Sequence, residues 1–135
     1  MKQEPVRTPM YSYLLSKGYS LTPQYYESTG FFVGWLLEDP HFNMVLSQDD
    51  NILMVLGIES SAQGKGLLSA VTKIARIWHE ILDNVKGVTT VKGMLDPYGD
   101  ANQLALREKM KDFFINKGAK LELIDDDEWL VYTPN

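Results

Sequence analysis

Cysteine is absent from the 135 residues, which excludes disulfides and thiolate metal sites and agrees with a reducing compartment. Histidine is scarce: the two, His41 and His79, stand in no ligand spacing such as HxxxH, so a zinc site has no support. Basic residues are the minority, 13 Lys and Arg against 18 Asp and Glu, for a net charge of −5. A phosphate backbone is repelled on average and finds no extended Lys/Arg stripe, so no nucleic-acid partner is expected. Long apolar runs are missing too. The longest, 31–37 and 52–58, have the length of buried strands and fall far short of the roughly 18 residues a membrane span needs. No apolar run followed by a small-residue cleavage site marks the N-terminus, so it does not read as a signal peptide. The expectation is a cytoplasmic protein with no membrane partner.

What is present is enough for a packed core. Hydrophobic residues make up 44% and charged residues 23%, the balance of an ordinary globular protein and too apolar for disorder. No repeat, low-complexity segment or linker divides the chain, so one domain over 1–135 is expected. Residues 1–9, with Pro5 and Pro9, read as an extended lead-in.

The pattern of residues predicts a mixed α/β order. Met10 to Ser16 is a short helix, and Thr22-Pro23 reads as an N-cap and first helical proline opening a second through Tyr25 and Tyr26. Three strands follow: Gly30 to Leu37, Phe42 to Leu46 and Ile52 to Ile58, joined by short connections as an antiparallel meander. The third is apolar throughout and is expected to be central and covered on both faces. Leu67, Leu68, Val71, Ile74, Ala75, Trp78, Ile81 and Leu82 recur at helical spacing, predicting a long amphipathic helix from Gly66 to Asn84. A strand from Val88 to Leu95, a helix capped by Asp100 and running to Asn116, and a hairpin around Asp125 to Asp127 complete the chain. A central strand leading through a helix to another strand implies a parallel pair inside the sheet.

The segment that carries chemistry joins the third strand to the long helix: Gly57-Ile58-Glu59-Ser60-Ser61-Ala62-Gln63-Gly64-Lys65-Gly66-Leu67-Leu68. A glycine-bearing loop at a helix N-terminus presents unpaired N–H groups and a favourable dipole to an anion, and Lys65 adds a cation. The Walker pattern fails: six residues separate Gly57 from Gly64, and Gly66 stands where a magnesium-binding hydroxyl should be. The GxGxxG fingerprint fails as well.

The loop resembles the acetyl-CoA loop of the GNAT superfamily of N-acetyltransferases, whose pattern is Arg/Gln-x-x-Gly-x-Gly/Ala at the start of the family's central helix. Here it stands as Gln63-Gly64-Lys65-Gly66-Leu67-Leu68. The element order over roughly 22–133 is similar to the family's, and Phe113-Phe114-Ile115-Asn116-Lys117-Gly118-Ala119 resembles its Leu-Tyr-x-x-x-Gly-Phe segment. The chain departs from the pattern at Leu68, where Gly or Ala is usual, at Phe114, where many members carry a proton-donating tyrosine, and at Ala119. The family's first strand is not evident. Compact versions of this kind are similar to phage-encoded ones, which would place the protein in a host cytoplasm or a virion.

The resemblance implies transfer of an acetyl group from acetyl-CoA to a primary amine, on a small molecule, a protein lysine or an N-terminus. Its alternative is a GNAT-like binding or structural protein that has lost the reaction. Cofactor contacts are expected from Gly57, Ile58, Gln63, Gly64, Lys65, Gly66, Leu67, Leu68, Ser69 and Asn102. A bulge near Leu56, Gly57 and Ile58 would aim a backbone N–H at the thioester oxygen. Glu59 reads either as a general base or as a solvated strand-end charge, and Tyr98 either as a proton donor or as a surface turn residue. A second copy of the chain is a further expected partner.

Overall fold

The computed structural model describes residues 2–60, 65–95 and 99–134. Its elements in chain order are α1 (Pro9–Ser16), β1 (Leu21–Tyr25), β2 (Phe32–Glu38), β3 (Asn43–Asp49), β4 (Ile52–Glu59), α2 (Lys65–Asn84), β5 (Thr90–Met94), α3 (Ala101–Ile115), β6 (Lys120–Ile124) and β7 (Asp127–Tyr132). All seven strands form one sheet, in the order β1-β2-β3-β4-β5-β7-β6. Neighbours are antiparallel except the central pair, β4 and β5, which run parallel across the α2 crossover.

Local chemistry sets the element ends. The Thr8 side chain accepts a hydrogen bond from the Tyr11 N–H and Pro9 opens α1, while the Asp100 carboxylate accepts from the Gln103 N–H at the start of α3. Past α3, Gly118 adopts φ 100°, a left-handed conformation that a side chain disfavours. Asp125 and Asp126, with φ 51° and 69°, form the two-residue turn between β6 and β7. Two successive positive-φ residues match the right-handed twist of a hairpin.

The core lies on one side of the sheet. Trp35 and Leu37 of β2, Met44 and Leu46 of β3, Leu53 and Val55 of β4, Val91 of β5, and Leu130 and Tyr132 of β7 share a face by register and are all buried. The three helices pack on this face. Tyr11 of α1 stacks on Trp35 at 4.1 Å, Trp78 of α2 donates its indole N–H to the Met44 Sδ at 3.2 Å, and Phe114 of α3 lies 5.2 Å from Tyr132. Trp78 also stacks on Phe114 at 4.7 Å, which joins α2 to α3.

Two expectations are corrected. Residues 22–26 do not open a second helix, because β1 occupies Leu21–Tyr25 and pairs with β2, Pro23 opposite Trp35. Proline is tolerated on an edge strand, where one side of the backbone has no ladder to join. Partial burial of Leu21, Pro23 and Tyr25, alternating with exposed Thr22 and Gln24, is the strand period. The second correction concerns β4, which is central but buried on one face only. Leu53 and Val55 are buried, while Ile52, Met54 and Leu56 remain half-exposed.

Candidate functional site

The sheet opens at its centre. Parallel pairing of β4 with β5 runs from Ile52 opposite Thr90 to Val55 opposite Gly93, and β4 then continues to Glu59 without β5 beside it. The departure coincides with a break in the β3–β4 ladder. Val45 faces Gly57 and Leu46 faces Val55, so Leu56 is an extra residue, a β-bulge. Such a bulge bends the strand and frees one edge of β4 beyond it, as expected for Leu56, Gly57 and Ile58.

The freed edge has an unusual partner. Gln103, from the first turn of α3, donates its carboxamide N–H to the Ile58 carbonyl at 2.9 Å, and its Oε1 accepts from the Ser60 N–H at 3.2 Å. A side-chain amide thus takes the place of a strand backbone. In a strand the N–H and C=O of one residue point the same way, so the Ile58 N–H also faces away from β3, into the opening. The Ser60 hydroxyl donates to the His41 carbonyl at 2.7 Å, which ties the β2–β3 connection to the end of β4.

Two cavities meet at this point. One, of about 170 Å³, lies between the separating strands, lined by backbone and side chains of 55–59 and 93–95 with Trp78, Gln103, Leu106, Arg107, Met110 and Leu130. Its walls are mostly apolar. The second, of about 520 Å³, is polar and is lined by Asp39, His41, Asn43, Glu59, Asp100 and Asn102 among others. Glu59 and Gln103 line both.

Two of the charged side chains around the opening, Asp39 and Arg107, are held in ion pairs. Asp39 forms an ion pair with Lys73 and accepts a hydrogen bond from the His41 N–H at 3.0 Å. Burial pushes the Asp39 carboxyl up, but the Lys73 hydrogen bond, the His41 N–H and the Lys73 charge together hold it below its ordinary value. Arg107 bridges Glu108 at 2.7 Å and Glu128 at 2.8 Å, fixing α3 to the start of β7. Its buried Nε has no hydrogen-bond partner among the described residues. No cluster of three or more His, Asp or Glu side chains able to hold a metal occurs among the described residues.

The expected site residues divide accordingly. Gly57, Ile58 and Glu59 border the opening, and Asn102 borders the polar cavity. α2 begins at Lys65, with Gly66, Leu68 and Ser69 exposed in its first turns and the Leu67 side chain in the core. Gln63, Gly64 and Tyr98 lie outside the described residues. Phe114 is fully buried between Trp78 and Tyr132 and does not line either cavity. Sequence reasoning missed Gln103 and Arg107. Their partners lie 43 and 45 residues away for Gln103 and 21 for Arg107, beyond the reach of any local pattern.

No protein-family model matches the chain, and no curated protein matches its sequence. What stands in their place, among the described residues, is an α/β fold with a seven-stranded mixed sheet and three helices. Among the described residues no helix is long and apolar enough to cross a membrane.

Proposed function

We propose that the chain is an acetyl-CoA-dependent N-acetyltransferase of the GNAT kind, moving an acetyl group to a primary amine. The observation that carries the reading is the bulge at Leu56, where β4 parts from β5 one short loop before the N-terminus of α2. The opening offers an extended ligand with amide groups a strand edge that β5 leaves and only the Gln103 side chain meets, together with apolar walls and a route toward a helix N-terminus that favours phosphate.

The reaction would proceed by attack of the neutral amine nitrogen on the thioester carbonyl carbon. The N–C bond forms, the C–S bond breaks, and the thiolate leaves. Charge developing on the carbonyl oxygen is met by the Ile58 N–H, a preorganised donor that costs no rearrangement. Glu59, bordering both cavities, is placed to take the amine proton directly or through water. Tyr98 is the proposed donor to the leaving thiolate. Acetyl-CoA enters the first cavity in this reading, and the amine, on a small molecule, a lysine or an N-terminus, enters the second, where carboxylates favour a cation.

A second reading has its own support. Phe114 offers no hydroxyl and is packed in the core, and Leu68 exposes 53% of its surface where a smaller residue would leave room for a phosphate. A GNAT-like binding or structural protein, phage-encoded or otherwise, fits those two residues. Calorimetric titration with acetyl-CoA, with desulfo-CoA as the unreactive control, separates the readings. Micromolar binding followed by amine turnover is the expected result. Binding without turnover favours the second reading, and no binding at millimolar cofactor removes the first.

A further inference from the structure

The two edges of the sheet are built differently. β1 carries Pro23 and a register break between Gln24 and Tyr25, two devices that stop an edge from pairing with another chain. β6 has none of this. Its ladder to β7 is regular from Lys120 to Ile124, it contains no proline, and all five of its residues are exposed. Leu123 exposes 74% of its surface, with Leu121 and Ile124 also exposed.

The free hydrogen-bonding groups of β6 can be assigned. The two-residue turn makes Ile124 and Asp127 a hydrogen-bonded pair, so by alternation Glu122 and Lys120 also bond to β7. The N–H and C=O groups of Leu121 and Leu123 therefore point outward from the sheet.

We infer that β6 is a self-association edge, and that two copies of the chain pair β6 with β6 in antiparallel fashion about a two-fold axis at Leu121. This register sets Leu121 against Leu121 with a reciprocal pair of backbone hydrogen bonds. It sets Lys120 of each copy opposite Glu122 of the other, two ion pairs from one short strand. Neither Lys120 nor Glu122 forms an ion pair within the chain among the described residues. Sliding the axis to Glu122 would oppose two carboxylates, and like charges directly opposite are unfavourable. A lone edge lysine usually repels a second copy, but here Glu122 two residues on turns the guard into a match. The occupant is thus a second copy, and the sheet continues across the axis.

The test is sedimentation velocity on the intact chain across the micromolar range, with charge-exchanged variants. Wild type is expected to dimerise with concentration, less so at high salt. Lys120→Glu and Glu122→Lys each replace attraction by repulsion in both pairs and should raise the dissociation constant about tenfold or more. The double variant, Lys120→Glu with Glu122→Lys, should recover the dimer, which a general surface effect would not do. Leu121→Pro removes an outward N–H without touching the β6–β7 ladder and should give a monomer. A wild type that stays monomeric throughout overturns the inference. So does a dimer indifferent to the single exchanges, or a double variant that fails to recover.

Discussion

Gln103 and Ile58, 45 residues apart, are joined by a hydrogen bond of 2.9 Å from side-chain amide to backbone carbonyl. A helix side chain completes the strand edge that β5 abandons. The contact holds α3 against the end of β4 and sits in the opening that an amide-bearing ligand would enter. Gln103→Ala should therefore lower stability by about 1–2 kcal/mol, the range for losing part-buried hydrogen bonds. Saturating CoA should then raise the melting temperature of the variant more than that of wild type, because the vacated edge is open to the ligand. Equal shifts would mean that the ligand does not use this edge.

Gly34 and Gly57 make a matched pair of opposite expectation. A Cβ at Gly34 would lie 2.6 Å from the Leu46 carbonyl oxygen, a backbone atom in the neighbouring strand, whereas one at Gly57 meets nothing within 4 Å. Gly34→Ala should cost roughly 2 kcal/mol or more, as overpacking does, and Gly57→Ala under about 0.5 kcal/mol, the range of substitutions that touch nothing. Urea unfolding of both variants checks the contrast.

Gly66 is exposed in the first turn of α2. Gly66→Phe should leave the circular dichroism spectrum and melting temperature near wild type, because any residue but proline is a better helix former than glycine. A bulky side chain at the helix N-terminus would keep phosphate from the backbone, so affinity for CoA should fall at least about tenfold, or 1.4 kcal/mol. Unchanged affinity would detach the loop from the proposed function.

The Asp39–Lys73 pair gives an acid-side signature. The folded Asp39 carboxyl titrates below its ordinary value, so the unfolded chain binds its proton first as pH falls. The resulting stability is complete above about pH 4, the ordinary carboxylate value, and is lost as pH drops through the lower folded value. Lys73→Met should cost about 1 kcal/mol at neutral pH, kept small because the Lys73 side chain is 37% exposed and screened. The gap between variant and wild type should close below about pH 4. A gap that persists at acid pH would assign the loss to packing.

Much of the fold is legible in the sequence where the signal is local. The helical recurrence from Leu67 to Leu82 locates α2 to within a residue, and the Asp100 cap locates α3. The apolar run of β4 and the glycine within it forecast the bulged central strand. Thr22-Pro23 misled because the same dipeptide serves a helix start and an edge strand, and only pairing with residues 32–37 of β2 decides between them. The one-sided burial of β4 escaped for a related reason. Ile52, Met54 and Leu56 are apolar enough for a covered face, and only the placement of all three helices on the other face leaves them half-exposed. Of the residues that line the two cavities, the sequence pointed to Gly57, Ile58, Glu59 and Asn102, whereas Gln103 escaped it, since nothing in residues 99–107 signals a bond to residue 58.

The sheet order also has a history written into it. β2, β3 and β4 each pair with the preceding strand across short connections, so this meander needs nothing beyond residue 59. β5 must wait for the 20-residue α2 to form and fold back, and then meets β4 over only four residue pairs. Local pairings close faster than distant ones. During synthesis the meander can therefore assemble while β5, α3, β6 and β7 are still being made, leaving the second edge of β4 as a template awaiting its partner. Pulse-labelled hydrogen exchange during refolding should find the amides of β2 and β3 protected before those of β7.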